Sequence, residues 1–386
     1  VKPVFIGSDI YRGSSYGAAH PLHIPRVSTV MDLVRALGWL GGGQYVPSPR
    51  AKPAALYAFH TADYIAALQG AETAQAVSAE TIARHALGTT ANPVFPEMFR
   101  RPATGAGGVM LAADLVRDGG VVHVPGGGTH HAMSDRANGF CYLNDPVLCL
   151  LALRAQGHRR IAYVDLDAHH SDGVEAALGR ADDMLLISTH EEARWPFTGA
   201  LDDDGGGRAV NLPLPRGYND TEARAVLHRL ILPLLERYAP QALVVQCGAD
   251  CLDEDPLSRL SLSNNAYVEA ILALRPVSPR LIVLGGGGYN PWTVGRAWTR
   301  IWGALNDLDA PGPLPDDAQA ILRALHWNRR GPGRVPEAHL LSHLADPPRE
   351  GPIRPAILAR IDRLRGRWGL GAHDAKPHLA SPRAPA

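Results

Sequence analysis

The run Arg160-Ile161-Ala162-Tyr163-Val164 constrains this chain most. It is nearly all apolar, and it runs straight into Asp165-Leu166-Asp167-Ala168-His169-His170-Ser171-Asp172-Gly173. A strand without polar alternation has no wet face and must be covered on both sides, the situation of a parallel sheet in an α/β protein. Further strand-like runs near Val121 to Val124, Met184 to Ser188, Leu243 to Cys247 and Leu281 to Leu284 alternate with helical stretches at Gly108 to Arg117, Thr221 to Tyr238 and Ala266 to Arg275. The alternation predicts an α/β fold, a mostly parallel sheet flanked by helices on both faces. In such a fold the polar residues that follow the strands collect at the C-terminal edge of the sheet, where ligands bind.

Residues two apart in an extended segment point the same way, so Asp167 and His169 can converge on one cation, with Asp165 on the same side. A catalytic zinc usually takes three protein ligands and leaves a position open for water. The third ligand is expected to be Asp250, which ends another apolar run, Ala242 to Asp250, and should lie on the same sheet edge. His130 and His131, about 35 residues before the Asp/His cluster, supply the proton-handling groups of a hydrolytic metal centre. A lone His-His pair among 17 histidines would carry little. Here three strand ends carry Asp/His clusters and a fourth carries Gly285-Gly286-Gly287-Gly288-Tyr289.

Other motifs point away from competing chemistries. Gly126 to Gly128 and Gly285 to Gly288 lack the ending of a phosphate loop and the spacing of a dinucleotide fingerprint, so they read as tight loops lining a pocket. Asp202-Asp203-Asp204-Gly205-Gly206-Gly207 lacks the ligand pattern of a calcium loop and reads as a solvated loop tip. There is no Gly-x-Ser-x-Gly elbow, and Cys141, between Phe140 and Tyr142, reads as a packed thiol rather than a nucleophile.

Taken together, these stretches resemble the histone deacetylase superfamily, over about residues 3 to 305. The resemblance rests on Gly126-Gly127-Gly128-Thr129-His130-His131-Ala132, Gly139-Phe140-Cys141-Tyr142-Leu143-Asn144-Asp145, the Asp165 to Gly173 segment, Gly248-Ala249-Asp250, Gly285 to Tyr289, and His20-Pro21-Leu22 with Arg26. The Gly-Gly-x-x-His-His form is more similar to the class I and bacterial acetoin-utilisation branch than to class II enzymes and polyamine amidohydrolases.

The resemblance implies an arginase/deacetylase-like fold, zinc held by Asp167, His169 and Asp250, and hydrolysis of an N-acetylated amine. It implies that His131 is general base and then general acid, and that His130 acts electrostatically. Asp165 would orient His130 and Asp172 would orient His131. Tyr289 would donate its hydroxyl to the carbonyl oxygen of the scissile amide. Phe140 and Trp195 would be aromatic walls of a substrate tunnel, with Gly139, Gly287 and Arg26 among the substrate-binding residues. A structural potassium ion held near the zinc by backbone carbonyls of Asp165 to His169 and by Ser188 is implied as well. One departure stands out. Class I enzymes carry a rim aspartate that accepts hydrogen bonds from a peptide backbone, and the matching position here is Ala91, in Thr90-Ala91-Asn92-Pro93-Val94-Phe95.

The chain has 386 residues, with 46% hydrophobic and 20% charged content, enough for a large core; residues 1–306 are expected to form the catalytic domain. A formal net charge of zero gives no global drive toward nucleic acid or anionic membrane. No apolar run approaches the roughly 20 residues of a membrane span. The N-terminal Val1 to Ile6 run is too short for a signal peptide, so a cytoplasmic location is expected. Cys141, Cys149, Cys247 and Cys251 form no paired metal module and are expected to be reduced. Residues 307–386 read as an extension: a linker at Asp309 to Pro315, an amphipathic helix from Ile357 to Trp368, and a disordered end. That extension could pack on the core or on a sister subunit, which leaves a homo-oligomer open.

The function expected on these grounds is zinc-dependent deacetylation, with the acetyl-lysine side chain of proteins or peptides as first substrate. The alternatives are hydrolysis of small acetylated amines such as acetylpolyamines, or a silent module that only holds an acylated ligand.

Overall fold

A computed structural model of the chain describes residues 2–328 and 335–371. The expected disordered end of the chain lies outside the described residues. Eight strands, β1 (Val4–Gly7), β2 (Tyr45–Pro47), β3 (Gly120–Val124), β4 (Ile161–Asp165), β5 (Met184–Glu191), β6 (Ala209–Leu214), β7 (Ala242–Gln246) and β8 (Arg280–Leu284), form one sheet in the order β2-β1-β3-β8-β7-β4-β5-β6. Every neighbouring pair is parallel.

Alternate residues of the apolar runs feed two separate cores. Ala162, Val164, Leu243, Val245, Leu281 and Val283 point to one face, where they meet the helices Val27–Ala36, Asn264–Leu274 and Pro291–Leu305. Ile161, Tyr163, Val244, Ile282 and Leu284 point to the other, against Arg100–Leu115, Asp145–Ala155 and Asp172–Leu178. Two covered faces are what the absence of polar alternation requires.

The strand ends are level. Val124 pairs with Leu284, Leu284 with Gln246, Gln246 with Asp165, and Asp165 with Ser188. Because all strands run the same way, the loops after β3, β8, β7 and β4 leave the sheet side by side from its middle.

Three strands are additional to those expected: β1, β2 and β6. β5 is longer than expected, running on to Glu191, because Thr189, His190 and Glu191 are buried with partners: Asp165 O, Gly199 O and the Arg194 guanidinium. The helix expected from Gly108 begins at Arg100, since Pro102 is tolerated in the first turn of a helix. The four cysteines are buried and unpaired. Among the described residues, no helix is long and apolar enough to cross a membrane.

The segment after residue 306 packs on the core. Leu314, Ala318, Leu322, Leu340 and Leu344, with Ile357, Ile361 and Leu364 of the helix Pro355–Arg367, join the same cluster as Leu243 and Val245. The link is also polar. Arg296, 0% exposed, forms an ion pair of 2.7 Å with Asp346 and donates to His343 O at 2.6 Å. Asp346 accepts in turn from Asn264 N at 2.9 Å. Removing one partner of a buried pair strands the other charge, so Asp346→Ala should destabilise the protein by about 3–5 kcal/mol in urea unfolding. A loss below about 1 kcal/mol would show that the extension docks without help from this pair.

Candidate active site

The loops after β4, β7 and β8 meet at one point. His169 Nδ1 lies 2.9 Å from Asp250 Oδ2 and 3.2 Å from Asp167 Oδ1, and one ligand atom from each residue falls within 4.8 Å of the others. The carboxylates are braced from behind by backbone N–H groups. Asp167 Oδ2 accepts from Gly287 N at 2.7 Å, Asp167 Oδ1 from His169 N at 3.0 Å, and Asp250 Oδ1 from Ala168 N at 3.0 Å. Gly287 makes the approach possible, since a Cβ there would sit 2.1 Å from Asp250 Oδ2. Burial opposes a charge on His169, but hydrogen bonds and charge from Asp167 and Asp250 outweigh it and push its pKa up to about 10. The site is thus built around a positive charge, and two carboxylates with one imidazole are a donor set that suits zinc.

His130 and His131 follow β3 and lie beside this cluster with ring centroids 3.9 Å apart. Each has its own carboxylate. His130 Nδ1 is 2.6 Å from Asp165 Oδ2, and His131 Nδ1 is 2.7 Å from Asp172 Oδ1. Their electrostatics diverge. Burial opposes the charge on His130, but Asp165 and Asp167 outweigh it and push its pKa up to about 9. Burial, helped by the neighbouring charge on His130, pushes His131 down to about 4 despite Asp172. At neutral pH the pair therefore offers one fixed cation and one free base.

A cleft of about 430 Å³ opens onto these groups, with His131, His169 and Tyr289 at its bottom. Gly139, Phe140 and Trp195 line its walls, and Ala91 and Arg194 also face it. Trp195 packs edge-on against His131 at 4.6 Å, and Phe140 edge-on against Tyr289 at 5.8 Å. Phe140 is turned inward by a tight reversal in which Asn138 and Cys141 exchange both backbone hydrogen bonds, with φ of 51° at Gly139 and 69° at Phe140. Positive φ at both central residues is the pattern of a type I′ turn, and it is costly for phenylalanine. Gly139 is required for space too: a Cβ there would lie 2.1 Å from the Trp195 ring. Burial holds the Tyr289 hydroxyl far above its usual pKa, so it stays a proton donor. Burial likewise raises the Cys141 thiol, which leaves it no nucleophilic thiolate.

Arg26, expected among the substrate-binding residues, sits against the Gly285 to Gly288 loop. Its guanidinium lies over Trp298 at 5.3 Å and donates to Gly286 O at 2.7 Å, bracing the glycine loop from behind instead of lining the cleft. Asn92, 1% exposed, lines the cleft beside Ala91 and donates its side-chain amide to Cys141 O.

Three supporting residues were not foreseen. Tyr163 donates to Asp165 Oδ2 at 2.6 Å, a contact readable from their i, i+2 spacing on one strand face. Asn138 donates to Asp172 Oδ2 at 3.0 Å. Asp255, buried, accepts from Tyr289 N at 2.7 Å and from Leu257 N at 2.9 Å, fixing the backbone beneath Tyr289. Nothing in the local pattern around Asn138 or Asp255 signals these partners.

Comparison with known proteins now bears on this geometry. The histone deacetylase domain family matches residues 20–305. The acetoin utilization protein AcuC of Bacillus subtilis is 31% identical, over 87% of this chain and 89% of its own length. Histone deacetylase 9 of Arabidopsis thaliana is 34% identical, over 83% of this chain and 77% of its own length. The crystal structure of an HDAC homologue from Aquifex aeolicus superposes with a TM-score of 0.89 at 35% identity, covering 95% of this chain and all of that one.

The geometry generates a test that needs no substrate. Zinc analysis of the purified protein should find about one ion per chain, and His169→Ala or Asp250→Ala should lose it, because two remaining ligands cannot hold an open tetrahedral site. Undiminished zinc in both variants would show that the ion sits elsewhere.

Proposed function

The chain belongs to the histone deacetylase family, hydrolases of amide bonds, and on that premise we propose that it is a zinc-dependent deacetylase acting on the acetyl-lysine side chain. The observation that carries this reading is the convergence of Asp167, His169 and Asp250 with the His130–Asp165 and His131–Asp172 pairs beside one cleft, which His131 and His169 line. Two aromatic walls, Phe140 and Trp195, suit a narrow methylene chain carrying a polar acetamide at its tip.

Bound to Asp167, His169 and Asp250, zinc would polarise the acetyl carbonyl and acidify the attacking water. His131, neutral at physiological pH, takes a proton from that water and passes it to the departing amine. His130, kept charged by Asp165, stabilises the negative charge that develops beside it. Tyr289 donates its hydroxyl to the acetyl oxygen. Asp172 and Asn138 hold the His131 ring so that Nε2 faces the reaction. The proposal includes a structural potassium ion near Asp165 and Ser188, which lie level across β4 and β5.

A second reading, hydrolysis of small acetylated amines, is favoured by Ala91, whose side chain cannot accept hydrogen bonds from a peptide backbone. Acetate release from acetyl-lysine peptides, minimal acetyl-lysine derivatives and acetylpolyamines tests both readings. Comparable kcat/KM for a minimal α-carboxamide derivative and the peptide is expected, and no zinc-dependent release from any of them would end the proposal. Tyr289→Phe should lower kcat by about 10² to 10³ with zinc content unchanged.

The assigned charges also predict a pH profile. The rate should fall on the alkaline side as His130, whose pKa Asp165 holds above the usual imidazole range against burial, loses its proton. Asp165→Asn removes the anion that favours the charged imidazole, so its alkaline limb should move to lower pH. An alkaline limb unmoved in that variant would show that another group titrates there.

A further inference from the structure

Resting on the deacetylase reading above, we propose that Arg194 makes the mouth of the cleft selective for substrates bearing a carboxylate at the far end of the acetylated side chain. The class is represented by Nε-acetyl-lysine with a free α-carboxylate, as opposed to an internal peptide residue or a polyamine.

Arg194 sits on a rigid turn. Phe197 N donates to Arg194 O at 2.8 Å, and the turn is pinned to the buried imidazoles of His170, at 2.8 Å from Thr198 Oγ1, and His190, at 2.8 Å from Gly199 O. The guanidinium is held as well. Its Nε and Nη2 donate to the two oxygens of Glu191, a residue 7% exposed that also accepts from Arg259 N at 2.8 Å. The Arg194 side chain is 26% exposed, and its Nη1 makes no hydrogen bond to any described residue. An immobilised planar donor that lines the cleft therefore keeps Nη1 available, and little side-chain entropy remains to be lost on binding.

The other polar side chains above the cleft bottom are already engaged. Thr89 Oγ1 donates to Ala86 O and accepts from Asn92 N, the Asn92 amide donates to Cys141 O, and the Asn138 amide donates to His131 O and Asp172. Among the described residues lining the cleft there is no aspartate or glutamate. An ammonium farther along an acetylpolyamine would thus meet a cation and no anion. A peptide carbonyl could accept from Nη1, but a carboxylate brings a full negative charge opposite the guanidinium as well as an acceptor oxygen. Glu191 offsets part of the charge and solvent screens the exposed part, so a preference of about tenfold is expected, at the low end for such bonds.

The experiment compares kcat and KM of the zinc-loaded enzyme for Nα-benzoyl-Nε-acetyl-lysine, its α-carboxamide, and N-acetylputrescine. The acid should exceed the carboxamide in kcat/KM by about tenfold, mostly through KM, and the ratio should shrink as salt is raised. Arg194→Gln should bring the ratio to about one, and N-acetylputrescine should be the poorest substrate. A wild-type ratio near one, a preference for the carboxamide or the diamine, or a tenfold preference that survives in Arg194→Gln would overturn the assignment. The wild-type ratio and its salt dependence decide the matter even where the variant does not fold. If none of the three compounds releases acetate, it is the deacetylase reading that fails.

Discussion

Asp165, Asp167 and Asp250 lie within 1% of complete burial beside three imidazoles, and this concentration of charge is what the rest of the structure is arranged around. A carboxylate removed from water without compensation costs several kcal/mol. Here the compensation is built into one turn. Between Asp165 and His169 the backbone N–H groups of Asp167, Ala168 and His169 each meet a carboxylate oxygen, and Gly287 supplies a fourth from the next loop. Such a turn can only be assembled where strands run parallel and end level. An antiparallel neighbour would send its loop to the far edge of the sheet. The glycines at 248 and 287 follow from the same demand, since a Cβ at either would fall about 2 Å from a carboxylate oxygen of Asp167 or Asp250.

The two adjacent histidines show how position decides chemistry when residue type does not. Both are buried, and both meet a carboxylate at nearly the same distance. With ring centroids 3.9 Å apart they cannot both carry a charge cheaply. His130 takes it because Asp167 reinforces Asp165, its Oδ1 lying 3.9 Å from His130 Nε2. His131 is then left neutral, and the charge next door is part of what keeps it so.

The sheet centre was legible in the sequence because burial on both faces leaves an unbroken apolar run. The edges were not. β6 reads Ala-Val-Asn-Leu-Pro-Leu and β2 ends in Pro47, yet proline and short length are tolerated at an edge, where one ladder is missing. The candidate metal-binding triad could be inferred from i, i+2 parity and strand ends, because a cation gathers oxygen and nitrogen donors in a recognisable spacing. Arg26 and Asp255 are different. Each acts on a backbone more than 30 residues away, so their roles depend on the packing of separate loops and leave no local trace.

Floor and mouth of the cleft differ in how tightly their residues are coupled. At the floor every side chain contacts at least one other member, so a change to Asp165 reaches His130, and one to Asp172 reaches His131 and Asn138. At the mouth Arg194 is tied to Glu191, and the side chain of Phe197, 74% exposed at a φ of 63°, stands out in solvent. Ala91 contributes only a backbone carbonyl, which is 3.2 Å from His20 Nε2. A strained exposed aromatic on this turn can change without disturbing the buried charges beneath, whereas Arg194 is the partner of the buried Glu191 carboxylate. The candidate catalytic groups stand where the strands end, and the mouth is shaped by the turn between Ala193 and Gly199, whose Trp195 ring packs against His131 and His169.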